Sequence, residues 1–161
     1  MTGIDALLTI AEMAIALAGF SAVVAAFARQ GALSPEDRSR FVWLFSTAFV
    51  AALLAFVPVL LIEANFEPPE LWRCASGVML LAWFASIGLL LYENKYGSRG
   101  RDFSSGPLLF VPSVANLTIQ LANVSGVVWE PSPAAYITGV LVWLYAASLV
   151  FMAIVLNRDA A

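Results

Sequence analysis

The chain contains no histidine, one cysteine and one lysine, and only 12% of its residues are charged. These gaps remove whole classes of chemistry. Without histidine there is no imidazole to hold haem or zinc, and Cys74 alone can form neither an internal disulfide nor a thiolate cluster. A retinal Schiff base inside a membrane would require a lysine within a span, whereas Lys95 falls in a polar stretch between apolar blocks. No catalytic residues, metal ligands or cofactor are therefore expected, and the protein is not read as an enzyme. The net charge is −3 and no basic patch is interleaved with aromatics, so no nucleic-acid partner is expected.

What is present is hydrocarbon. Hydrophobic residues make up 61% of the chain and the mean hydropathy is +0.88, values unlike those of a soluble domain. The apolar residues fall into five blocks, each near the roughly 20 residues that a helix needs to cross a bilayer. They predict an all-α, integral membrane helical bundle forming a single transmembrane domain over 1–161, with spans at about 4–27, 41–62, 71–92, 108–129 and 134–156. Ser34-Pro35-Glu36-Asp37 reads as a helix start, with Ser34 as N-cap and acids in the first turn, so the second helix extends beyond its apolar span. Pro68-Pro69, Gly106-Pro107 and Ser132-Pro133 mark the other starts. The first span is not read as a cleaved signal peptide, because Asp5 replaces a basic leader and Glu12 interrupts the apolar run.

Basic residues give an orientation. Seven of the eight, from Arg29, Arg38 and Arg40 through Lys95, Arg99 and Arg101 to Arg158, fall on one side of the five spans, and Arg73 alone on the other. The positive-inside rule then places the amino terminus outside and the carboxyl terminus in the cytoplasm, most simply in a prokaryotic cytoplasmic membrane. The opposite side collects Glu63, Glu67, Glu70 and Glu130 around short turns, an acidic mouth that would concentrate cations. Arg73 is expected to pair with Glu70 or to reach for the headgroups. The polar connection carrying Lys95, Arg99 and Arg101 is expected to attract anionic lipid headgroups.

Polar residues inside the spans are the most informative feature. Ser113, Asn116, Gln120 and Asn123 recur at steps of three, four and three, one face of the fourth helix, which must look at other helices or at water. Thr118 and Ser125 lie off that face and are expected to bond back to their own helix. In the first span Asp5, Thr9 and Glu12 share a face that continues through Ala16 and Gly19. An ionised Glu12 within hydrocarbon costs about 2.5 kcal/mol or more on insertion scales unless it is neutralised, hydrated or bound to a cation. Two readings stand side by side: a structural staple between Glu12 and Gln120 or Asn123, or a hydrated path with Asp5 at its mouth, Glu12 as the cation or proton site and the amides as lining. Ala14, Ala18, Ala22 and Ala26 form a small-residue ladder suited equally to internal packing and to self-association.

The stretch from Ala16 to Phe27, Ala-Leu-Ala-Gly-Phe-Ser-Ala-Val-Val-Ala-Ala-Phe, followed by a polar turn and an Arg-bearing helix, resembles the opening of small prokaryotic multi-span membrane proteins. The resemblance covers about the first third of the chain and implies a helical membrane fold, with no activity carried over. Gly19-Phe20-Ser21-Ala22-Val23 is similar to part of the pore helix of Orai calcium channels, but Phe27 stands where that family's acidic residue would be expected and the predicted helix direction is opposite, so no role is transferred.

The expectation is a parallel homo-oligomer that conducts an inorganic cation, including the proton, along Asp5, Thr9, Glu12, Ser113, Asn116, Gln120 and Asn123. The alternatives are a non-conducting accessory subunit of a larger membrane complex and a lipid-binding or scrambling protein.

Overall fold

The computed structural model describes residues 3–27, 35–96 and 106–156. Ser34, the expected N-cap of the second helix, lies outside them, as do Arg29, Arg99, Arg101 and Arg158. The fold is all-α, with five helices: α1 (Gly3–Phe27), α2 (Pro35–Glu63), α3 (Glu70–Tyr96), α4 (Gly106–Ser125) and α5 (Pro133–Leu156). Their lengths of 20 to 29 residues correspond to about 30 to 44 Å of helix. All five are long and apolar enough to cross a membrane. Large apolar side chains cover the outside, among them Ile15, Phe49, Leu60, Leu81 and Phe110, as expected where the surrounding solvent is lipid.

Helix starts follow the proline signals. α2 begins at Pro35, α4 at Gly106 immediately before Pro107, and α5 at Pro133, where Ser132 Oγ accepts from the Ala135 N–H at 3.5 Å. Helix ends are set by backbone geometry. At the end of α2, Asn65 takes φ 61°, the Phe66 N–H donates to Leu61 C=O at 3.0 Å and the Asn65 N–H to Ile62 C=O at 2.9 Å, which together make a Schellman cap. At the end of α4, Gly126 takes φ 65° and its N–H donates to Ala122 C=O at 3.0 Å. The fourth helix therefore stops at Ser125, not near Trp129 as hydropathy predicts, because Val127, Val128 and Trp129 continue the apolar run after the backbone has already turned. α3 runs on to Tyr96, past the expected end at Tyr92.

The chain divides into two compact units, Met1–Phe56 with Val140–Ala161, and Val57–Gly139. In the first, α1 buries a single stripe of Leu7, Ile10, Ala11, Ala14 and Ser21, spaced three and four apart and then by two turns. Phe41 and Leu44 of α2 pack with Val150 and Ile154 of α5, with Phe151 against them, and the Phe20 and Phe151 rings meet edge-on at 5.8 Å. In the second unit α3 packs on α4, and Met79 and Tyr136 are fully buried.

Candidate functional site

The two polar faces singled out in the sequence lie in different units. The α1 face is in the first. At 100° per residue, Asp5, Thr9, Glu12, Ala16 and Gly19 lie roughly 180° around the helix from the buried stripe of Leu7, Ile10, Ala14 and Ser21. Burial agrees with this count: all five are exposed while that stripe is buried. Thr9 Oγ1 donates to its own helix at Asp5 C=O, 3.0 Å away. The Glu12 carboxylate makes no hydrogen bond or ion pair with any described residue, and Glu12 lies about 13 Å along the helix from Gly3. Nothing stands within 4 Å of where a Gly19 Cβ would be. The alanine ladder winds across this arrangement, since Ala14 is fully buried, Ala18 half-buried, and Ala22 and Ala26 exposed.

The α4 face is in the second unit and is turned inward. Asn116, Gln120 and Asn123 are at most 1% exposed, and Ser113 is half-buried with its hydroxyl donating to Leu109 C=O at 2.6 Å. Asn123 is the hub. Its Nδ2 donates to Ser76 Oγ on α3 at 2.8 Å and to Ser132 C=O at 3.4 Å, while its Oδ1 accepts the Ser132 N–H at 2.9 Å and the Trp129 indole N–H at 3.4 Å. One amide thus ties α3, α4 and the turn before α5. One turn earlier, Gln120 Nε2 donates to Ala135 C=O at 2.7 Å and to Asn116 Oδ1 at 3.1 Å. Asn116 Nδ2 and Gln120 Oε1 are buried without a hydrogen-bond partner. Measured from Ser125, Gln120 is about 8 Å into its helix, shallower than a span ending near Trp129 implies.

Gly139 brings α5 onto this network. A Cβ at that position would run into Met79 Sδ, and would stand 2.6 Å from Gln120 Nε2 and 2.9 Å from Asn116 Oδ1. Composition and spacing do not single out Gly139, because the demand for a glycine comes from the neighbouring helix. Thr118 and Ser125 bond to Val114 C=O and Ala122 C=O, each at 3.0 Å, as their positions off the stripe predict.

Glu63, Glu67, Glu70 and Glu130 are all exposed, on the α2–α3 and α4–α5 connections and the adjoining helix ends. They do not gather into a metal site: among the described residues no group of three His, Cys, Asp or Glu side chains could hold an ion. Arg73, one turn into α3, is exposed and lies against Gly126, where an added Cβ would meet Nη2 at 2.5 Å, and it closes no ion pair with Glu70. No protein-family model, curated protein or solved structure matches this chain.

Proposed function

We propose that this chain is the repeating subunit of a parallel homo-oligomer in a prokaryotic cytoplasmic membrane, amino terminus outside, whose α1 helices surround a cation path lined by Asp5, Thr9 and Glu12. The observation that carries the reading is the position of Glu12: exposed, near the middle of an apolar helix, and facing directly away from the stripe that the protomer buries. Facing lipid, that carboxylate costs about 2.5 kcal/mol or more. Facing an axis shared with other copies, it becomes a ring of acidic side chains in water, the arrangement by which cation channels select charge. The exposed acids of the α2–α3 and α4–α5 connections add a negative field that raises local cation concentration. Asn123 and Gln120 act in this reading as interhelical glue, since their hydrogen bonds go to α3, α5 and the turn between α4 and α5.

A second reading, a non-conducting subunit whose α1 face docks on a different membrane protein, draws on Ala16 and Gly19. They leave the lower part of the same face smooth enough for close helix contact. The experiment is cation flux into liposomes containing the purified protein. The channel reading expects flux from the parent and a changed flux or pH dependence in Glu12→Gln, which keeps the shape and removes the ionisable charge. An electrically silent parent that is monomeric in mild detergent would sink it in favour of the second reading.

A further inference from the structure

One exposed pair of opposite charges, which includes Glu70 of the acidic connections, stands apart from the α1 face and the amide network. The Arg73 guanidinium makes no hydrogen bond or ion pair with any described residue, although Glu70 sits one turn earlier on the same side of α3 and is itself exposed. Five guanidinium donors and a carboxylate are thus presented side by side, at a Cβ spacing of roughly 5 to 6 Å, without closing on each other. Beside them the chain leaves α4 through Gly126, against which the guanidinium lies, and exposes Val127 at 85% and Val128 at 68%. Trp129 follows, its indole N–H held by Asn123 Oδ1, and the Ser132 N–H is held by the same atom. The apolar turn is therefore pinned to a buried hub and is preorganised rather than ordered on contact.

We propose that this end of α3 and α4 binds a phospholipid with a zwitterionic phosphoethanolamine headgroup. Arg73 takes the phosphodiester through paired N–H donors, the Glu70 carboxylate accepts from the ammonium, and Val127 and Val128 lie against the start of the acyl chains. Charge complementarity selects the occupant. An anionic headgroup would meet Arg73 but also Glu67, Glu70 and Glu130, all exposed nearby in sequence on these connections. A choline headgroup satisfies the phosphate half, but its quaternary nitrogen has no N–H to donate to Glu70. Guanidinium matches a phosphate's oxygens in a planar fork, which a lysine ammonium does not reproduce. Trp129, amphipathic and 40% exposed, is of the residue type enriched at headgroup depth.

The test is native mass spectrometry of the purified protein titrated with phosphatidylethanolamine, phosphatidylcholine or phosphatidylglycerol of identical chains, with inorganic phosphate as competitor. Phosphatidylethanolamine is expected to bind roughly tenfold or more tightly than the other two, the size of one lost charge-assisted hydrogen bond. Arg73→Gln should weaken all three lipids; Glu70→Gln should reduce, and Glu70→Ala abolish, the preference for ethanolamine over choline while leaving phosphatidylcholine binding unchanged. Circular dichroism melting of each variant separates lost binding from lost fold, and Arg73→Lys, which keeps the charge, should retain part of the affinity. Equal affinity for the three headgroups, unchanged binding in folded Arg73→Gln, or full displacement by inorganic phosphate would each overturn the proposal. It does not depend on the cation path, because a protomer without conductance would still show the headgroup preference.

Discussion

At the scale of single residues, the sequence carries periodicity but not partners. Steps of three and four put Ser113, Asn116, Gln120 and Asn123 on one face, and the structure buries that face, Ser113 partly. That Asn123 spends its amide on Ser76, Ser132 and Trp129 was not readable, because those atoms arrive from two other segments of chain, α3 and the α4–α5 connection. Gly139 is the clearest case, since an apolar helix shows no local reason for a glycine and the reason is the pair of amides beneath it. Gly139→Ala is expected to destabilise the protein by about 1 to 3 kcal/mol, the usual cost of overpacking a close contact. It should also displace Gln120 from Ala135 C=O. A thermal melt in detergent measures the first effect, and a melt equal to that of the parent would show that α5 does not approach α4 so closely.

At the scale of elements, starts were legible, whereas the stops of α3 and α4 were not. Proline marks where a helix begins because its missing N–H and fixed φ suit the first turn, and Pro35, Pro107 and Pro133 stand at or beside three of the starts. A stop is a backbone event that hydropathy does not see. Val127, Val128 and Trp129 extend the apolar count past Ser125, while the chain turns at Gly126 with φ 65°. Gly126→Ala is therefore expected to cost about 1 kcal/mol or more from the left-handed backbone, with little added by Arg73, whose exposed guanidinium can swing away from the methyl. Arg73→Ala made in the same background should leave that cost nearly unchanged. A double-mutant cycle on melting free energies measures this, and a coupling well above about 0.5 kcal/mol would show instead that the guanidinium is held rigidly against the turn.

At the scale of the whole molecule, composition alone was enough to announce five membrane-length helices, because hydrocarbon demands long, apolar, internally bonded segments. Which faces of those helices look inward was partly hidden, and α1 shows why. Its apolar residues run all the way round, so the buried stripe of Leu7, Ile10, Ala14 and Ser21 is not distinguished by hydropathy from exposed Met13, Ile15 and Phe20. Two substitutions on this one helix separate the protomer from its assembly. Ala14 is fully buried, so Ala14→Leu should overpack the protomer and lower its melting temperature. Gly19 meets nothing within 4 Å, so Gly19→Leu should leave protomer stability unchanged or raise it slightly through helix propensity. If copies meet through the Asp5, Thr9, Glu12, Ala16 and Gly19 face, the same Gly19→Leu change places a bulky side chain in a small-residue contact and should shift the detergent-solubilised protein towards monomer. Light scattering coupled to size exclusion gives the subunit number, and the melt gives the stability of the same sample. A parent oligomer unaffected by Gly19→Leu would move the interface to another face of α1 or to another helix, and would leave Glu12 without the shared axis on which the conducting reading depends.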